Sequence, residues 1–312
     1  EIYGEGAIFI GGQEIVTISA HGAANVAIAG IEVSTQGTAF SCRDGATLSL
    51  QDVRVQSDLG VAVSQCELSV RDAAFYDGGY AIVVKNDVGE EGHRTEIAAT
   101  TFNNLAAAII ASHTALTVAN VAIENVDVGM LIEALCPDLG TCVTISDSII
   151  TGASTRAVEL KGSGFLLARN QVIHNPSGGV RATGRVLRIE SNVIAHNGGL
   201  AASSGPGILI DDAACFGCTR QIAIVGNTVA NNYSSTSSGA GILSGANVAP
   251  VLASNIVAAN TSMFLGGSQI QCHTCTSYQD LVEPATVGGV TRMAPVGGDP
   301  KFIDAPGGNF RV

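Results

Sequence analysis

Glu133, Glu159, Lys161, Arg181 and Asp211 are the residues of this sequence whose types and spacing suit acid-base chemistry. Enzymes acting on polysaccharides use paired carboxylates, a Lys, Arg or His as base, and often a bound Ca²⁺. These five residues lie far apart along the chain, so they can cooperate only if a repeat brings them side by side. The repeat described below sets Glu133 beside Lys161 and Glu159 beside Arg181, each pair one repeat apart, with Asp211 next along. Asp212 follows at the edge of a CFGC loop. Lys161 or Arg181 would then be the base, and the carboxylates would bind cation or substrate. The competing reading is two ion pairs between neighbouring strands on an exposed sheet, with no chemistry at all.

The elements that must position them emerge from internal periodicity. An apolar residue recurs at Ile28, Leu50, Val70, Ile97, Val118, Ile145, Leu167, Ile189, Ile224 and Leu252. Five places after each stands a second: Val33, Val55, Phe75, Phe102, Ile123, Ile150, Val172, Ile194, Val229 and Val257. A third apolar stretch follows, usually opened by Gly or Ala, as in GVAV at Gly60, AIVV at Ala81, GMLI at Gly129 and GILI at Gly207. Three short strands in about 22 residues is one coil of a parallel β-helix, with loops absorbing departures from the period. No segment keeps a 3.6-residue apolar pattern, which excludes helical solenoids. The predicted fold is all-β: a single-stranded parallel β-helix solenoid of about ten to eleven coils, stacked about 4.8 Å apart. Residues 1–275 form the coils, and 276–312 a C-terminal capping segment on the same solenoid.

Within this repeat the recurring NQVIHN, NVIAHN, NTVANN and NIVAAN have a place. Asn170, Asn192, Asn227 and Asn255 share one corner of the coil; Asn175, Asn197, Asn232 and Asn260 share the next. Asn tolerates unusual backbone angles at corners and bonds local backbone groups. Stacked in register, each amide can also donate to the amide of the next coil, giving two structural Asn ladders.

The repeated N-x-φ-x-x-N…G-φ pattern resembles the right-handed parallel β-helix (pectate-lyase-like) superfamily of secreted bacterial type. The tail GGDPKFIDAPGGNFRV, from Gly297 to Val312, is similar to the segment that closes many of its members. The resemblance implies a right-handed coil. It implies no single activity, because this scaffold carries polysaccharide lyases, glycosidases, esterases, adhesins and autotransporter passengers. No stretch matches one family's catalytic signature.

Eight cysteines, Cys42, Cys66, Cys136, Cys142, Cys215, Cys218, Cys272 and Cys275, all follow a third strand and share one corner of the rod. Cys42 and Cys66 are one coil apart and within bridging reach; CPDLGTC, CFGC and CHTC would each close a local loop. Paired spacing and an even count favour disulfides in an oxidising compartment. The alternative is Zn²⁺ held by the four thiolates of CFGC and CHTC. His174 and His196 stack at a corner without a third ligand in view, and read as turn residues rather than a metal pair. Asp52 and Asp72 share a corner column and offer Ca²⁺ too few oxygens. No metal or other cofactor is expected beyond these alternatives.

Charge narrows the partners. The formal net charge is -12, with three lysines among 312 residues. That excludes nucleic acid and anionic membrane surfaces, which need clustered Lys and Arg. No apolar run is long enough to span a bilayer. Outward positions of the first sheet are mostly small, as at Ala27, Ser49, Ser69, Thr117 and Thr144, and these offer no acid-base equipment. The sequence therefore reads as an extracellular or cell-surface β-helix with a structural or adhesive role: a rod, a filament component or a glycan-binding stalk, partnered by polysaccharide or other surface subunits. The rival is a lyase or hydrolase acting on an acidic polysaccharide through the third sheet.

Overall fold

The computed structural model describes residues 2–10, 18–87, 93–136, 140–200, 204–211, 221–236, 239–263, 268–283 and 287–296; for 2–10, 273 and 287–296 only the backbone is described. The described elements are all β-strands, paired in parallel, each with its counterpart one coil away. The register is the one the sequence predicts. Ile28 pairs with Leu50, Leu50 with Val70, and so on without slippage to Leu252. The second column runs likewise from Val33 to Val257. Both columns point inward and are buried along their whole length.

Stacking continues at both ends. Ile2 pairs with Ile28 and Phe9 with Val33, while Leu252 pairs with Ser277 and Val257 with Val282. Strand pairing thus passes Cys275 and reaches Val296. The segment expected to close the rod, Gly297 to Val312, lies outside the described residues.

Three strands per coil holds in the middle of the chain, as in Phe165–Ala168, Gln171–Ile173 and Val180–Gly184, whereas Ser268–Glu283 runs through the corners as one strand. In the N-terminal half the second and third strands merge, as in Thr101–Ser112 and Ala122–Leu135. The cause lies at the second corner. There Leu105 still pairs with Val126, so backbone hydrogen bonding turns the corner unbroken. From Ile149–Thr151 to Ile256–Ala258 the second-sheet strands stop short, and side-chain amides take over the bonding.

That substitution is the purpose of the ladders. The amide oxygen of Asn197 accepts from both the backbone N–H and the side-chain amide of Asn175, at 3.1 and 2.9 Å. Asn232 serves Asn197 in the same way, and Asn260 serves Asn232. The first-corner column repeats this from Asn170 through Asn192 and Asn227 to Asn255. All eight asparagines are buried. Every amide donates toward the C-terminal coil, so each ladder has a positive end there that needs an acceptor. Asp280 accepts from Asn255 at 2.8 and 2.9 Å, and Gln269 from Asn260 at 3.0 and 2.8 Å. At the other end Ser148 and Ala153 donate backbone N–H groups to Asn170 and Asn175.

One detail differs from expectation. The left-handed backbone belongs to the residue before each ladder asparagine: Arg169, Ser191, Gly226 and Ser254 at one corner, His174, His196, Asn231 and Ala259 at the other. Asp52 and Asp72, with φ of 50° and 53°, stand in the same first-corner column. Their type follows from the backbone angle, since Asp and Asn tolerate positive φ. Small residues at the entry to the third sheet have a different cause. A Cβ on Gly129 would collide with the carbonyl of Ala157 in the next coil, and one on Gly179 with that of Gly207.

Disulfides join Cys42 to Cys66, Cys136 to Cys142 and Cys272 to Cys275, with Cα separations of 5.9, 5.8 and 5.6 Å. The Cys272–Cys275 bond removes two of the four thiolates that a CFGC–CHTC zinc site would need. Cys215 and Cys218 lie outside the described residues. Three disulfides fit an extracytoplasmic, oxidising compartment.

Candidate functional site

The outward column of the third sheet is aliphatic on both sides of a short charged stretch. Ala62, Val83, Ile110 and Leu131 stand in register and half-buried, followed by Glu159 and Arg181, then Leu209 and Leu243. Register places Glu133 beside Lys161 and Glu159 beside Arg181, as the sequence predicts. The ion pairs are different ones. Lys161 Nζ lies 3.3 Å from Glu159 Oε1 on its own strand, and Arg156 Nε lies 2.9 Å from Glu159 Oε2. Arg181 reaches diagonally to Asp211, at 2.6 Å, instead of Glu159. Glu133 is exposed. Long side chains span diagonal neighbours as easily as direct ones, so register alone does not choose the partner. Asp212 lies outside the described residues.

Around the charged stretch a groove of about 510 Å³ opens, within the size range of small-molecule sites. Arg156, Glu159 and Arg181 supply its charge, and Leu209 an apolar wall. The opposite wall comes from the connections into the third sheet. At Asn175-Pro176-Ser177-Gly178 a tight turn closes through Gly178 N–H donating to Asn175 O, and Gly205 N–H donates to Ser177 O one coil on. Gly205, Pro206 and Thr236 come from the longer connections that follow Ile194 and Val229. Glu159 is 4% exposed, whereas the side chains of Arg156 and Arg181 are 43% and 55% exposed. Lys161 and Asp211 flank the groove without lining it.

Further polar pairs lie outside the groove among the described residues, at positions that sequence reasoning missed. On the first sheet Glu96 stands in the column of Ser69 and Thr117 and pairs with Arg71 at 2.5 Å. Arg188 and Glu190 pair further along that face. On the second sheet Tyr76 donates its hydroxyl to Glu32 across an intervening coil, at 2.7 Å, over the column that holds Arg54. Burial, then the hydrogen bond to Glu32, pushes the Tyr76 phenol up, so it is held as a donor. At the first corner the Arg169 guanidinium hydrogen-bonds Asp147 and holds its carboxyl below the usual range.

His174 and His196 stack face to face, ring centroids 4.9 Å apart and planes within 3°. Among the described residues no group of three His, Cys, Asp or Glu could hold a metal. Burial, and secondarily the charge of His196, pushes His174 below its ordinary value. The native state therefore resists protonation. This contribution to stability is present above the ordinary histidine value and is lost as pH falls through the lower native one. NMR titration is expected to place His174 below an unperturbed histidine. His196→Asn is expected to move it only partly back, because burial is the larger cause; full return would show that the ring pair dominates.

Comparison with known proteins agrees with the geometry. A family model described as "Right handed beta helix region" matches residues 108–277. No curated protein matches the sequence. Among solved structures, the periplasmic alginate epimerase AlgG is similar with a TM-score of 0.58 at 10% identity, over 90% of this chain and 77% of that one. The Dettilon tailspike protein gives 0.43 at 12%, over 96% and 62%. The A-module of the Azotobacter vinelandii mannuronan C-5 epimerase AlgE6 gives 0.37 at 11%, over 96% and 92%. At these identities the likeness is one of fold alone. The family match spans more than half of the chain, and parallel pairing of coils runs beyond it at both ends: the chain belongs to the right-handed β-helix family.

Proposed function

We propose that this protein is a structural and adhesive β-helix of the cell exterior, a rod or stalk that holds an acidic glycan in its third-sheet groove without transforming it. The observation that carries this reading is the lining of the groove: two half-exposed arginines and one buried carboxylate, in a protein of net charge -12. The guanidinium groups of the lining outnumber its one carboxylate, which favours an anionic ligand even with Asp211 beside Arg181. Glycoside hydrolysis needs two carboxylates flanking the bond, and Glu159 is the single one among the described lining residues. Both base candidates are also engaged, Lys161 by Glu159 and Arg181 by Asp211. The disulfides support a place outside the cytoplasm.

A lyase or hydrolase is the second reading, favoured by the contact of Lys161 with a buried glutamate. A panel of acidic and neutral polysaccharides separates the two. Acidic members are expected to bind without turnover, and Arg181→Ala to weaken that binding by roughly tenfold, the worth of one charge-assisted contact. Turnover that disappears in both Lys161→Ala and Arg181→Ala would establish the enzyme instead.

A further inference from the structure

The N-terminal half of the third sheet presents an apolar face. Ala62, Val83, Ile110 and Leu131 occupy its outward column, one per coil and each half-buried, with Leu59, Tyr80 and Val128 at the entry to the same strands. Tyr80 is 48% exposed. A contiguous apolar stripe of this kind marks a contact surface. Two places past the column, where the strands leave the sheet, stand Ser64, Lys85, Ser112, Glu133 and Lys161. Lys85 and Glu133 are exposed and lie one coil to either side of Ser112. Among the described residues neither is in an ion pair.

This arrangement about Ser112 identifies the partner as a second copy of the chain. Two copies laid face to face can be related by a two-fold axis running along the strand of Ile110 and Ser112. Each coil on one side of the axis then faces the coil equally far on the other side. Ile110 meets Ile110, Val83 meets Leu131, Tyr80 meets Val128, and Lys85 meets Glu133 twice, while Ser64 opposes Lys161. Neighbouring registers fail on charge. Moving the axis by one coil sets Lys85 on Lys85 or Glu133 on Glu133, and moving it by half a coil sets Arg43 or Lys85 on Lys161. Like charges face to face in a contact are unfavourable. Packed sheets cross at roughly 30°, which displaces residues one coil from the axis by about 3 Å, within the reach of Lys and Glu. We propose that this face is the interface of an antiparallel homodimer, centred on Ile110 and Ser112 and held in register by Lys85 and Glu133. Contact ends where Ala62 and Leu59 oppose Glu159 and Arg156, leaving the groove open from Ser177 to Thr236. Such a face buries on the order of 900 Å² over two copies, the low end for a specific interface, so the dimer is weak and reversible.

Sedimentation velocity of the full chain from about 1 μM to about 500 μM tests it, the span in which weak interfaces of this size associate. The wild type is expected to pass from monomer to dimer within that range. Lys85→Glu and Glu133→Lys are each expected to weaken association about tenfold or more, by setting like charges face to face, and the double variant to restore it. These side chains are exposed, so the fold should persist, and far-UV circular dichroism checks that it does. A chain that stays monomeric at the highest concentration would overturn the proposal. So would a dimer indifferent to the single reversals, single losses that the double variant does not restore, or growth beyond the dimer, since a two-fold contact closes on itself.

Discussion

Asn197→Ala is expected to destabilise the protein by roughly 3–5 kcal/mol, the sum of an orphaned backbone donor, lost amide bonds and a small cavity. The backbone N–H of Asn175 would lose the Asn197 oxygen it donates to. Asn175 Nδ2 would lose the same acceptor, and Val172 O and Asn232 Oδ1 would lose the Asn197 amide as donor. The position is fully buried, so water cannot replace these partners. Leucine is the informative control. Apolar residues fill the equivalent corner in Leu105 and Val126, but there the backbones pair directly. Leucine at 197 would restore volume and leave the Asn175 N–H unpaired, so it should not rescue. Urea unfolding followed by far-UV circular dichroism checks both variants, the chain having no tryptophan. Full rescue by leucine would make the ladder a matter of packing.

Phe102→Ala should cost a similar amount, about 3–5 kcal/mol, for a different reason. Phe102 is fully buried and stacks on Phe75 of the preceding coil, ring centroids 5.4 Å apart and planes within 9°. Removing the ring opens a void that Phe75 and Ile123, its neighbours in the second column, cannot fill while their strands stay in register. In a solenoid each coil contacts only its neighbours, so the damage is local and unfolding need not remain two-state. Hydrogen exchange is the better measure: protection should fall first in Ala74–Lys85 and Ala122–Leu135, the strands flanking the void. Uniform loss along the rod would contradict nearest-neighbour stacking. Phe102→Leu should cost far less, since most of the volume remains.

Much of this architecture is legible in the sequence, because a stack imposes one constraint many times. Ten coils with Ile, Val, Leu or Phe at the same two offsets fix the register, and the register alone aligns the asparagines. The ladder ends are harder to see. Asp280 follows Ser277, which takes the inward place of the apolar column, and Gln269 comes from a strand entering the third sheet rather than from a corner. Neither looks like a ladder residue when columns are defined by apolar type. The charged face shows the same limit. The repeat sets Glu159 and Arg181 side by side, yet it does not reveal Arg156, which sits at the entry to its strand, outside the alternation of outward positions. The choice of Asp211 over Glu159 by Arg181 depends on side-chain reach, which register does not encode. Glu32, Arg54 and Tyr76 are recoverable from the outward positions of the second sheet, where Glu32 pairs with Arg54 and a tyrosine lies two places past Ala74.

The third-sheet groove as a holding site for an intact acidic glycan is the claim on which the functional account rests. A crystal structure of the protein soaked with an acidic oligosaccharide tests it most directly. The predicted result is an uncleaved chain lying in the groove, with an anionic group facing Arg156 and Arg181. Sugar bound on the first or second sheet, or a cleaved or chemically altered product in the groove, would contradict it.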